Sequence, residues 1–530
     1  MDYNYYPLDP PGVVSLGQGW QLDNPVWRHI KHPMKNGVLL FFPSRRFTSM
    51  AREKTSSQGT LVMKFGGTSV GSTKAMSSAV QIVCKTKFEW HSVIVVTSAL
   101  SGVTNLLLDS AEKAAQGNTQ DLSMAEKKLQ AAHFSIADEL ISDPSSLARV
   151  KSEIAALIST FTTLCQAIAV LGEATPRALD AVASLGERMS VRLLSAAITS
   201  AGLSSEYVEA TDLIITNRSF QNAHPDISAT TKCTHQILDP LLARGVVPVV
   251  TGFIGATPEG VVTTLGRGGS DFSAAILAAV IPADDVWIWT DVDGVMTADP
   301  RLVNEARTIP EITYSEIAEL AYYGAKVLHP KTVRPVIDAG IGLRICNTFN
   351  PDLPGTRLVA NGHPTKVGQK REHVVRAVTA IPKQILVTIE GRGMLGVPGV
   401  AARAFAAVAS TGTSVPLITQ ASSEQSICFA VPLESANAVV KALNKVFMNE
   451  LEQRDIDRVW VTEDVTIVTV VGMGMRTTPG VAGRIFTQLG SRDINVIAIA
   501  QGSSEVSISM VVDPGATEAA VRALHDLIIQ

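Results

Sequence analysis

Leu61-Val62-Met63-Lys64-Phe65-Gly66-Gly67-Thr68-Ser69 decides the fold. Its first five residues are apolar apart from one lysine, the composition of a strand covered on both faces; a Gly-Gly turn stops it, and Met76, Val80 and Val83 follow at helical spacing. The same order of strand, small-residue loop and helix returns downstream. Strands are predicted at 93–96, 246–250 and 286–289, and helices at 193–198 and 272–280. Elements alternating in this way build an α/β fold with a largely parallel sheet covered on both faces, its ligands held by loops beyond the strand ends.

Outward from that stretch, the chain's 530 residues imply three or four domains, and 46% apolar residues suffice for several cores. Forty-five basic and 49 acidic residues leave a net charge of −4, which offers no basic surface for a nucleic-acid backbone. The five cysteines (Cys84, Cys165, Cys233, Cys346, Cys428) are odd in number and contain no C-x-x-C pair. Neither a disulfide framework nor a zinc site is expected, and a reducing compartment, the cytoplasm, is. No window holds eighteen uninterrupted apolar residues, so no membrane association is expected.

Residues 1–59 form an N-terminal extension. Its first 49 residues are rich in aromatics and proline without sustained periodicity, and Asp2, Asp9 and Asp23 are unusual for a transit peptide. Met50 is read as the initiator, with a translated extension as the other reading. A catalytic α/β domain is predicted over 60–350. A linker follows over 351–382, where the composition turns to Asn, Pro, Gly and Lys.

Beyond it the chain repeats itself. Three blocks beginning at Ile385, Pro398 and Ile418 recur at Thr466, Pro479 and Ile499, each displaced by 81 residues. A constant offset means one duplicated unit, over 383–462 and 463–530, each reading as a βαββαβ module. Residues 391–396 obey G-x-G-x-x-G, but the duplicate loses the third glycine and no acidic residue stands about 20 positions on, so a dinucleotide fold is not supported.

Several strings carry chemistry. Lys64-Phe65-Gly66-Gly67 puts a cation and bare backbone amides at a strand end before a helix, which suits a phosphate; the same string also serves an ordinary turn with a solvated lysine. Gly266-Arg267-Gly268-Gly269-Ser270-Asp271 surrounds one guanidinium with glycines, giving a carboxylate or phosphate room to approach, while Asp271 could simply cap the helix. Thr290-Asp291-Val292-Asp293-Gly294 with Arg301 could hold a nucleotide and fails the calcium-loop pattern. Glu187 and Lys326 read alone as a structural carboxylate and a surface charge. No P-loop string occurs, and no metal site is predicted.

Together these blocks, with Ser98, Ser101-Gly102-Val103-Thr104, Gly186-Glu187-Arg188-Met189 and Gly324-Ala325-Lys326-Val327-Leu328-His329-Pro330, resemble the aspartate kinases of the amino-acid kinase superfamily. The tail resembles paired ACT domains. The resemblance implies a three-layer α/β sandwich followed by two ferredoxin-like modules. It also implies transfer of the ATP γ-phosphoryl group to the β-carboxylate of L-aspartate, the first step towards lysine, threonine and methionine. MgATP is then a substrate, with no tightly bound cofactor.

Carried over, Lys64 is catalytic and Asp271 orients it; Ser98, Thr104, Glu187 and Arg267 hold aspartate. Lys64, Phe65, Gly66, Gly67, Thr290, Asp291, Arg301 and Lys326 meet the nucleotide. Gln420 and Gln501, at equivalent repeat positions, resemble the effector residues of threonine-sensitive members, with lysine as the alternative effector. A homodimer or higher homo-oligomer is implied, and, with no dehydrogenase region after the second module, a monofunctional enzyme. A kinase of glutamate, acetylglutamate or uridylate, and a non-catalytic amino-acid sensor, are the competing readings.

Overall fold

The computed structural model describes residues 59–324, 328, 330–359, 374–394, 397–420, 425–502 and 506–529. The extension at 1–58 and the lysine at 326 lie outside them.

Among the described residues the first half has ten strands: β1 (Thr60–Phe65), β2 (Ser92–Thr97), β3 (Ser205–Val208), β4 (Val247–Thr251), β5 (Ile254–Ala256), β6 (Val262–Thr264), β7 (Asp285–Thr290), β8 (Glu311–Thr313), β9 (Gly342–Asn347) and β10 (Thr356–Val359). Eight form one sheet in the order β3-β4-β2-β1-β7-β9-β10-β8, and β5 and β6 form a separate antiparallel pair. From β3 to β9 every pairing is parallel; only β10 runs antiparallel to β9.

Strand alternation separates the two faces of this sheet. Leu61, Met63 and Phe65 of β1, with Val93 and Val95 of β2, enter one core beneath the helices Thr73–Glu89, Val103–Ala115, Pro144–Leu171 and Pro176–Ser200. Val62, Ile94, Val96 and Val286 enter the other, beneath the helices Gly269–Val280 and Pro330–Ala339. The result is the expected three-layer sandwich. Because β1 is flanked in the sheet by β2 on one side and β7 on the other, the strand order reverses at β1, and the crevice that opens there is where such sheets bind ligands.

One cover helix was not foreseen as apolar. Pro144–Leu171 reaches a mean hydropathy of 2.0 over eighteen residues, long and apolar enough to cross a membrane by length and composition. Interspersed Ser and Thr residues break every uninterrupted apolar run, which hid it. It presents Ile154, Ile158, Phe161, Cys165 and Ile168 to the core at helical spacing. Each large side chain so buried contributes about 1.5–3 kcal/mol.

The second half is a six-stranded antiparallel sheet in the order β12-β13-β11-β14-β16-β15. Its strands are β11 (Ala377–Glu390), β12 (Leu417–Gln420), β13 (Ser426–Pro432), β14 (Arg458–Val471), β15 (Ala498–Ala500) and β16 (Ser507–Val512). Two long strands belong to both repeats. The start of β11, Ala377 to Ile381, pairs with Ile467 to Val471 of β14, and its end, Val387 to Glu390, pairs with Arg458 to Val461, across register shifts at 381–387. The second module therefore takes its last strand from chain that precedes the first.

This corrects the predicted linker at 351–382. Thr356–Val359 is a strand of the large sheet and Ala377 onward is module, so neither end of that span is connecting chain. Residues 391–394 of the G-x-G-x-x-G string follow β11 of this antiparallel sheet, and 392–394 form a short 3-10 helix, so the string does not follow a parallel strand; its last two residues lie outside the described ones. The Tyr314–Tyr322 helix joins the two halves: Glu316 Oε1 accepts the Met473 N–H at 3.1 Å, and Glu319 Oε2 accepts the Ser507 hydroxyl at 2.7 Å.

Candidate active site

A cavity of about 830 Å3 opens beyond the carboxyl ends of β1, β2 and β7, lined by Lys64, Gly66, Gly67, Ser98, Thr104, Glu187, Arg267, Asp271 and Thr290. Strand parity places the lysine. Lys64 shares the face of Val62, which is covered by the Gly269–Val280 helix, and the first turn of that helix carries Asp271. The Lys64 Nζ lies 2.6 Å from Asp271 Oδ1, with both side chains mostly buried, at 11% and 15% exposure. At this depth the pair is screened little by solvent.

Glu187 comes from the opposite layer. Its helix, Pro176–Ser200, starts with Thr175 as N-cap and Pro176 in the first turn. Gly186 lets this helix press on the loop after β2: a Cβ there would stand 2.8 Å from Ala99 Cβ. The close approach lets Glu187 Oε1 accept the Ala99 N–H at 3.2 Å, while Oε2 is buried without a hydrogen-bond partner. Burial pushes the carboxyl up to about 8. Such a group holds a proton at rest and ionises when a cation docks beside it.

Arg267 stands exposed on the cavity wall after Gly266, and Ser98 and Thr104 supply hydroxyls. Three expected nucleotide contacts, Phe65, Asp291 and Arg301, lie off the cavity wall, and a fourth, Gly66, lines it with its amide engaged. The Phe65 ring points into the core and stacks on Trp289, centroids 6.0 Å apart, because alternation sends it away from Lys64. The Gly66 amide, expected to be bare, donates to the Trp289 carbonyl at 3.1 Å. Asp291 accepts from the Thr290 hydroxyl at 3.2 Å and is not among the lining residues. Arg301 is gripped by Asp299 two residues earlier, at 2.6 Å, and its side chain is 87% exposed, away from the cavity wall.

Sequence reading missed Asp180, Gln221, Phe253 and Thr264, all of which line the cavity. Asp180 had a signal: it precedes Glu187 by seven residues, two helical turns, and so shares its face. Among the described residues no group of three or more His, Cys, Asp or Glu side chains converges as a metal would require. Gln420 ends β12 and Gln501 follows β15, both exposed at the two edges of the antiparallel sheet.

Comparisons with known proteins agree with this layout. Residues 59–347 match the amino acid kinase family, and 387–447 and 468–527 match an ACT domain. The chain is 38% identical over 465 residues to a bifunctional aspartokinase/homoserine dehydrogenase of Zea mays; the match covers 88% of this chain and 50% of that one, so the chain spans half the length of this relative. It is 33% identical to an aspartokinase of Schizosaccharomyces pombe, over 90% of this chain and 94% of that protein. Two crystal structures of E. coli aspartokinase III superpose well. The complex with aspartate and ADP gives a TM-score of 0.72 at 30% identity, covering 89% of this chain and all of that one. The complex with lysine and aspartate gives 0.71 at 31% identity, covering 89% and 99%.

Proposed function

We propose that this chain, which belongs to the aspartokinases of the amino acid kinase family, transfers the γ-phosphoryl group of ATP to the β-carboxylate of L-aspartate, giving 4-phospho-L-aspartate and ADP. The observation that carries this is the convergence, across one cavity, of the Lys64–Asp271 pair with the half-satisfied carboxyl of Glu187.

The chemistry asks little proton transfer of the protein. A β-carboxylate with a reference pKa near 3.9 is already ionised at neutral pH, so no general base is needed. The obstacle is bringing that anion against a triphosphate. Lys64, steered by Asp271, faces the transferred phosphoryl group, and magnesium arrives with the nucleotide as part of the substrate. Arg267 holds the α-carboxylate in a bidentate grip, and the free Oε2 of Glu187 takes the ammonium. That pairing selects an α-amino acid over a simple dicarboxylate.

The duplicated modules with Gln420 and Gln501 support a small amino acid as inhibitor, threonine first and lysine as the alternative, the E. coli relative being described with lysine. The exposed Ile418 and Ile499 on edge strands β12 and β15 support pairing with a second copy. All five cysteines are free, which supports a reducing compartment such as the cytoplasm.

Release of ADP from MgATP is the test. ADP formation that requires L-aspartate is expected; no rate above that without amino acid, or an equal rate with L-glutamate, contradicts the reading.

A further inference from the structure

Asp180 is 1% exposed, and both of its oxygens accept hydrogen bonds from the protein. Its Oδ1 accepts the Thr264 hydroxyl at 2.7 Å, and its Oδ2 accepts the Thr264 N–H and the Gln221 N–H, both at 3.0 Å. Burial pushes this carboxyl above the usual range, and the donors from Gln221 and Thr264 oppose that.

Those three donors belong to the two segments that flank the guanidinium. Thr264 ends β6, two residues before Gly266. Gln221 sits in a left-handed turn at φ 65°, and Gly266, at φ 80°, packs so closely on it that a Cβ would lie 3.1 Å from both the Gln221 carbonyl and the Asn222 side chain. The turn and the Arg267 loop are thus stacked on each other and pinned by one carboxylate. Asp180 shares its helix with Glu187, two turns further on, and both line the cavity.

We propose that Asp180 is a positioning residue for recognition of the amino-acid head group: by clamping the 221–222 turn and the 264–267 loop to the Pro176–Ser200 helix, it sets the separation between Arg267 and Glu187, and so between the groups that meet the α-carboxylate and the α-ammonium. It is not itself a substrate ligand. Its oxygens are taken by protein donors, and a second carboxylate turned toward a substrate that carries two carboxylates would repel it. The inference rests on the aspartate kinase reading and deepens it.

Head-group contacts hold substrate and transition state alike, so loosening them raises KM and leaves kcat in place. Asp180→Asn keeps the size but turns an NH2 toward donors; Thr264→Val removes only the hydroxyl donor. The full-length chain is assayed for kcat, KM for L-aspartate and KM for MgATP, with thermal melting as a fold control. Asp180→Asn is expected to raise KM for aspartate about tenfold or more, with KM for MgATP and kcat moving less than about twofold. Thr264→Val is expected to shift the same constant in the same direction, by less. An unchanged KM for aspartate, an equal rise in both KM values, or a loss confined to kcat overturns the proposal. If Asp180→Asn does not fold, Thr264→Val decides by the same criteria. A wild-type protein without aspartate turnover would sink the kinase reading itself; an active wild type with indifferent variants would sink only this inference.

Discussion

The ammonium of Lys64 and the carboxylate of Asp271 lie 2.6 Å apart although 207 positions separate them in sequence, because β1 ends, and the Gly269–Val280 helix begins, at the same side of the sheet. The pair fixes where the positive charge stands before any phosphate arrives. Lys64→Ala is expected to lower kcat by roughly 10^3-fold and Asp271→Asn by roughly 10–100-fold, the range for losing or misaiming a charge stabiliser. Steady-state kinetics at saturating MgATP and aspartate measure both; wild-type kcat in Asp271→Asn would show that the lysine needs no steering.

Glu187 makes stability and substrate binding depend on pH. Its folded-state carboxyl, at about 8, lies above the ordinary value of 4.5, so the native protein binds more protons than the unfolded chain between those values. Its contribution is intact below about 4.5 and is lost as pH rises through about 8. Glu187→Gln is therefore expected to leave melting unchanged near pH 5 and to raise the melting temperature near pH 8.5, while weakening aspartate binding throughout. In the wild type, aspartate binding should release a proton near neutral pH, visible as buffer-dependent heat in calorimetry. Identical melting of variant and wild type at both pH values would contradict this assignment.

Gly186→Ala inserts a methyl group 2.8 Å from Ala99 Cβ and 3.3 Å from Val103 Cγ1. Overpacking of this kind costs about 1–3 kcal/mol and here also displaces the Ala99 amide from Glu187. KM for aspartate should rise together with a fall in melting temperature. Gly483→Ala, in the Val481–Gly490 helix with no atom within 4 Å of the new methyl, is the control and should stabilise by about 0.5–1 kcal/mol. Equal effects at the two sites would refute the packing argument.

Gln420 and Gln501 bear on regulation. Alanine at either position should leave uninhibited turnover within about twofold, since both lie at the edges of the antiparallel sheet outside the cavity, and should raise the threonine concentration for half inhibition about tenfold, as expected for losing an amide that pairs with a polar ligand. Inhibition curves for threonine and lysine on both variants decide it. Unaltered curves would place the effector elsewhere.

Much of this was readable from the chain, and the failures have identifiable causes. The 61–65 run, the glycine turns and the 81-residue repeat carry local signals, so the parallel sheet and the duplicated tail could be read directly. Lys64, Ser98, Thr104, Glu187, Arg267 and Asp271 all reach one cavity because each stands at or beside a strand end or on the helix packed there. Phe65 was miscast because a motif was read whole where strand alternation splits it. Arg301 was lost to Asp299, a neighbour in the same turn that captures it first. The dual role of β11 and β14 rests on pairings between segments about 70 to 90 residues apart, and periodicity carries no information about such partners.

Trapping the product tests the central claim most directly. Wild-type protein, MgATP, L-aspartate and hydroxylamine should yield the β-hydroxamate of aspartate, identified by mass and fragmentation, in an amount equal to the ADP formed, and Lys64→Ala should yield none above background. ADP without hydroxamate, hydroxamate at the α-carboxyl, or full yield from Lys64→Ala would contradict it.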